Sequence, residues 1–139
     1  MSKPALNALV LLFLWGALIE DATIFALSWL APELWFRVFH HQEPAGLDVA
    51  LLRRAGGQWL AFALVQAIAL WRWRSRPAWL LVVAGARASD LFTDLSYVIS
   101  APSLSTAGWA ALLPPPLLNT LFIVVMVLAW RQAGDDRTR

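Results

Sequence analysis

The chain has 139 residues, 60% of them hydrophobic and 14% charged, with nine tryptophans, no cysteine and a mean hydropathy of +0.61. That composition points to an integral membrane protein, long enough for about four crossings of about 20 residues each and too short to add a soluble domain. The net charge of +2 does not signal nucleic acid, because the arginines gather at the ends of apolar runs where they set topology, and the lack of cysteine excludes disulfides, thiol nucleophiles and thiolate metal sites.

The first apolar stretch runs from Leu6 to Leu30. It is too long for the apolar region of a signal peptide and ends without a small-x-small cleavage site, so it is expected to be a retained helix. The Pro32 to His41 segment carries Leu34, Trp35, Phe36, Val38 and Phe39 among Glu33, Arg37 and two histidines, the pattern of a short amphipathic helix on the outer surface. Further stretches run from Leu51 to Trp71, Pro77 to Ile99 and Ala110 to Trp130. The expected fold is therefore an all-α integral membrane protein of one domain, residues 1–139, with helices near 6–30, 51–71, 77–99 and 110–130. Breaks fall at Ala31-Pro32, at Gln42 to Gly46, at Arg74 to Pro77 and at Ala101-Pro102-Ser103, since proline disfavours helix in the residue before it. Pro114-Pro115-Pro116 is expected to open the fourth helix, where missing amide donors cost little.

In this layout Lys3, Arg72, Arg74, Arg76, Arg131, Arg137 and Arg139 share one side and Arg37, Arg53 and Arg54 the other. The positive-inside bias then puts both termini in the cytoplasm, in a bacterial inner membrane. Trp71, Trp73, Trp79 and Trp130 form one aromatic belt, and Trp29, Trp35 and Trp109 the opposite one.

Against this apolar background four carboxylates stand out: Glu20 and Asp21 in the first stretch, Asp90 and Asp94 in the third, with Arg87 one turn before. A helix rises about 1.5 Å per residue, which places these acids roughly 18–24 Å from the cytoplasmic end. Gln58 and Asn119 with Thr120 fall in the same layer when counted from the outer side. Arg87, Asp90 and Asp94 at i, i+3 and i+7 form one stripe, and an Arg87–Asp90 pair within the helix is easy. Small residues, Gly16 and Ala17 beside Glu20 and Gly85, Ala88 and Ser89 beside Asp90, suggest that the first and third stretches pack closely around the acids. Four acids and one arginine cannot all stay ionised in a dry core, so at least one acid is protonated, hydrated or paired with a cation.

Intramembrane ionisable groups are functional by default; the bland alternative is a polar clasp in which Arg87 bridges helices through Glu20 or Asp90. The expected binding set is Glu20, Asp21, Gln58, Arg87, Asp90, Asp94 and Asn119. His40-His41 with Glu43 and Asp48 is a weak metal-ligating pattern, and no metal is expected. Gln66 and Tyr97 read as lone polar groups at helix contacts, and Gly56-Gly57 as a close contact or bent helix start. No cofactor is identified.

The Ala31-Pro32-Glu33-Leu34-Trp35 segment, between an acid-bearing first stretch and an acid-bearing third, resembles the four-helix sterol-isomerase and sigma-2-receptor-like fold, which places acids around a membrane-embedded ligand cavity. Arg53-Arg54-Ala55-Gly56 is similar to the Arg-x-x-Gly start of the second helix in small DoxX-like membrane proteins. The two resemblances point to different families, and no function is transferred from either.

Three function classes fit. The favoured one is a small binding or accessory protein that holds a lipid-like molecule or docks on a membrane-protein partner. The second is a membrane enzyme acting on a hydrophobic lipid or sterol-like substrate, with Asp21 or Asp94 as the catalytic acid/base and Arg87 as charge anchor. The third is a proton- or cation-coupled transporter, which four helices would form as a homo-oligomer. The expected surroundings are a lipid bilayer, a hydrophobic small molecule and no nucleic acid.

Overall fold

A computed structural model describes residues 2–100 and 104–135. The expected break at Ala101-Pro102-Ser103 and the basic residues Arg137 and Arg139 lie outside the described residues. Among the described residues six helices follow in order: α1 (Lys3–Leu30), α2 (Pro32–His40), α3 (Gly46–Arg72), α4 (Ala78–Ser100), α5 (Thr106–Leu112) and α6 (Pro114–Asp135). There is no strand among the described residues. Two stretches, α1 and the α5–α6 run Thr106–Asp135, are long and apolar enough to cross a membrane by length and composition, at mean hydropathies of 1.9 and 2.1. The other two long helices are more polar, with Gln58, Gln66, Arg53 and Arg54 in α3 and Arg87, Asp90 and Asp94 in α4.

Local chemistry explains the helix limits. Prolines stand in the first turns of α1, α2 and α6, where no intrahelical donor is lost. His41 ends α2 in the left-handed conformation, φ 53°, and the Gln42 N–H returns to the Phe36 carbonyl, closing the last turn. The Asp48 carboxylate accepts the Ala45 N–H at 2.9 Å and caps α3. The fourth apolar stretch is two helices rather than one from Ala110 to Trp130, because Ser105 caps a separate α5 through the Gly108 N–H at 2.9 Å. Leu113 then separates α5 from the triple proline that opens α6.

Each long helix buries one stripe. In α1 it is Leu6, Val10, Leu14, Ala17, Asp21 and Ser28; in α4, Leu80, Val83, Ala84, Arg87 and Asp90; in α6, Asn119, Phe122, Met126 and Ala129. The spacing of three and four is that of one helix face. In α3 the stripe is Leu52, Gly56, Phe62, Ala63, Gln66 and Ala69. Half of the molecule is a close-packed apolar core of Leu6, Val10, Leu14, Leu80, Val83, Phe122 and Met126, with Trp73 and Ala69. Phe13 and Phe122 meet there edge to face at 5.4 Å, a favoured aromatic geometry.

One sequence-based expectation is corrected here. The first and third stretches, α1 and α4, do not pack closely around the acids. The main pairings are α1 with α3 and α4 with α6, while α3 meets α4 and α1 meets α6 less extensively, which leaves α1 and α4 diagonal to each other. The two glycines that suggested the contact are not in it: a Cβ added to Gly16 or Gly85 would meet no atom within 4 Å. The long Arg87 side chain spans the diagonal instead. The close approach lies at Gly56 of α3, where an added Cβ would run into Ser28 Oγ and come within 2.8 Å of the Trp29 ring. At Gly57 there is open space. Gly56→Ala is therefore expected to cost about 1–3 kcal/mol by overpacking, while Gly57→Ala is neutral or stabilises by up to about 1 kcal/mol through helix propensity. Thermal unfolding of the two variants in detergent checks the contrast.

Candidate functional site

Four helices each lend a polar residue from their buried stripes to one layer above the apolar core. Arg87 of α4 is at its centre, 2% exposed. Its Nη2 donates to Asp21 Oδ2 of α1 in a buried ion pair. Its Nη1 donates to Asp90 Oδ2 at 3.0 Å, one turn along α4, and to Asn119 Oδ1 of α6 at 3.4 Å. The Asn119 amide nitrogen then donates to Asp90 Oδ2 at 3.2 Å and Asp94 Oδ2 at 3.1 Å. From α3, Gln66 Nε2 donates to Asp21 Oδ2 at 2.7 Å. The amide of Asn119 thus turns its oxygen to the cation and its nitrogen to the anions, the orientation that charge dictates. The guanidinium also sits between the Phe62 and Phe122 rings, 5.4 and 5.9 Å from their centroids, within cation–π range. Two buried atoms of this layer, Arg87 Nε and Gln66 Oε1, find no hydrogen-bond partner, a desolvation cost carried by the layer.

Over this layer lies a cavity of about 590 Å³. Glu20, Asp21, Asp90 and Asp94 line it at the level of the layer, and Ile24, Leu52, Trp59 and Thr93 continue its walls. Trp35, Phe36, Phe39 and His40 of α2 and Gly108, Ala111 and Leu112 of α5 close it at the far end. The volume lies within the roughly 300–1,000 Å³ typical of small-molecule pockets, as does a largely apolar lining with a few convergent polar groups.

The closing elements are fastened by specific bonds. Ser105 donates its N–H to the Phe39 carbonyl at 2.8 Å and its hydroxyl to the Val38 carbonyl at 2.7 Å. Gly108 permits the approach of α5 to α2, since a Cβ there would lie 2.5 Å from the Phe39 carbonyl oxygen. On the α4 side the Tyr97 hydroxyl and His40 Nε2 hydrogen-bond at 2.6 Å. The Trp35 ring packs at 5.6 Å, tilted by 38°, against Trp59 of α3.

Of the seven residues expected to bind, Asp21, Arg87, Asp90, Asp94 and Asn119 form one hydrogen-bonded network. Glu20 and Gln58 line the cavity but take no bond in that network; both fall out of phase with the buried stripes of α1 and α3. Thr120 bonds to the Pro116 carbonyl of its own helix. Gln66 is the member sequence reading left out: it is fully buried on Asp21, and its phase with Phe62, Ala63 and Ala69 was the available signal. The weak metal pattern does not converge. Arg37 pairs with Glu43 at 3.3 Å, His40 meets Tyr97, Asp48 caps α3, and among the described residues no three ligating side chains come together.

Compared with models of known families, with curated proteins and with solved structures, the chain finds no match.

Removing the cation strands two buried acids, Asp21 and Asp90, so Arg87→Ala is expected to cost about 3–5 kcal/mol. In a double-mutant cycle with Asp21→Ala the losses should fall short of additivity by about 1–3 kcal/mol. Additive losses in denaturation midpoints would mean that the diagonal pair contributes nothing.

Proposed function

We propose that the chain is a multi-pass membrane protein, with α1, α3, α4 and the α5–α6 run as four crossings, that binds a hydrophobic, lipid-like small molecule as a binding or accessory protein. The observation that carries the reading is the cavity of about 590 Å³ bounded by aromatic and aliphatic side chains over a layer of acids. A protein that needed only a polar clasp between helices would gain from packing this space, because empty volume forfeits dispersion contacts. Here α2 and α5 are fastened across one end of it and the volume is kept. The exposed apolar surface of the long helices, Leu12, Trp15 and Ile19 in α1 and Leu117, Leu121 and Val124 in α6, suits lipid contact, and the basic residues favour cytoplasmic termini.

A second reading is an enzyme acting on a similar hydrophobic substrate. It is favoured by the unequal surroundings of Asp21 and Asp94, which line the same cavity. Asp21 is bound by Arg87 and Gln66, whereas Asp94 takes only the Asn119 amide. Carboxyls in different environments can divide acid and base roles.

Native mass spectrometry of the protein extracted gently from its membrane tests the first reading. A small molecule should co-purify and be lost in Ala55→Trp, which fills the cavity from α3, without loss of the fold. A protein partner and no small molecule, with identical results for Ala55→Trp, would overturn it in favour of an accessory interface. Turnover of a hydrophobic substrate abolished by Asp94→Asn would support the enzyme instead. A reporter fused after Arg139 is expected in the cytoplasm; an external signal removes the proposed topology.

A further inference from the structure

At the opposite end from the cavity, α1 begins, α3 ends, α4 begins and α6 ends around a second, smaller cleft of about 170 Å³. Its lining is Lys3 and Asn7 of α1, Trp73, Arg74 and Pro77 of the α3–α4 turn, and Ala129, Gln132 and Ala133 of α6. Trp73, Pro77 and Ala129 are buried, Asn7 and Gln132 half-buried, and Lys3 and Arg74 exposed. The apolar residues thus make a floor, two amides stand at mid-height and two cations at the rim.

The turn presents Arg74 on a fixed backbone. The Ser75 and Arg76 N–H groups both donate to the Arg72 carbonyl, at 3.1 and 2.8 Å, and the Ser75 hydroxyl adds a bond at 3.0 Å. The Arg74 guanidinium carbon lies 5.4 Å from the Trp73 ring centroid, and that of Arg72 lies 4.4 Å from Trp71. Stacking of this kind holds an arginine plane while its N–H donors stay available. Arg72, Arg76 and Arg131 lie at the same end of the helices, outside the lining of the cleft.

We infer that this cleft binds the phosphate of an anionic phospholipid in the cytoplasmic leaflet, with Lys3 and Arg74 as charge partners and Asn7 and Gln132 as neutral donors. Two cations with two amides suit a phosphate monoester or diester, whose oxygens accept several donors at once. The volume is below that of a whole-molecule pocket and fits a headgroup whose acyl chains lie along the exposed apolar flanks. Basic pockets between helices on the cytoplasmic side are where such headgroups are held. The inference rests on the membrane orientation proposed above, but not on what occupies the main cavity.

The test uses the full chain in dimyristoyl phosphatidylglycerol or dimyristoyl phosphatidylcholine, with bound lipid counted by native mass spectrometry and the unfolding midpoint measured alongside. Phosphatidylglycerol should be retained over phosphatidylcholine by about fivefold for each engaged cation. The preference should fall to parity in Lys3→Gln with Arg74→Gln, whose midpoint in phosphatidylcholine stays that of the wild type. Arg53→Gln with Arg54→Gln, at the other end of the molecule, should keep it. Equal retention of the two lipids, or a preference that survives Lys3→Gln with Arg74→Gln, would overturn the cleft as the site. Displacement of phosphatidylglycerol by inorganic phosphate would overturn the lipid assignment and leave a free-phosphate site. An external Arg139 reporter would overturn the assignment to the cytoplasmic leaflet, even where the preference for phosphatidylglycerol persists.

Discussion

One cation joins the diagonal of this molecule. α1 packs on α3 and α4 packs on α6, and apolar contacts, being non-directional, do not by themselves fix the register of one pair against the other. Arg87 of α4 reaches Asp21 of α1 while its other amino group holds Asp90 and Asn119. This arrangement fixes register, since a shift of one residue along either helix would leave a buried charge unpaired. Desolvation offsets most of the attraction in a buried ion pair, so specificity of arrangement is its larger effect.

The layer divides two kinds of interior. Toward the termini, Leu14, Val10, Leu80, Val83 and Met126 are essentially inaccessible and interdigitate, which is the close packing of ordinary protein cores. On the other side the helices line a large, partly open cavity. The cavity persists because α2 and α5 brace its end through Ser105, Gly108 and the His40–Tyr97 bond, and because Arg87 keeps the acids anchored from behind without itself lining the space. The packed half supplies stability and the open half supplies the surface on which function is proposed.

The polar groups with strong chemistry were legible in the sequence: a charge or an amide inside an apolar run is conspicuous because it is costly there. Asp21, Arg87, Asp90, Asp94 and Asn119 were all singled out and are all in the network. Which apolar face of each helix points inward was not legible. In a soluble helix polar residues mark the outer face, but here both faces are apolar, so periodicity gives little contrast. That is why the sequence does not rank Glu20 against Asp21, why Gln66 reads as incidental, and why Gly16 and Gly85 read as contact glycines although the close approaches are at Gly56 and Gly108.

By itself, then, the sequence determined the all-helical class, the approximate helix stretches and the residues able to make a buried ionic layer, because helix propensity, proline positions and the cost of desolvating charge act locally along the chain. Only the tertiary structure decided that α1 and α4 lie diagonal, that Arg87 is the bridge between them, that α5 is a separate helix docked on α2, and that a cavity lies over the acids. Those outcomes depend on the rotational phase of each helix and on shape complementarity between surfaces distant in sequence, neither of which an apolar chain spells out residue by residue.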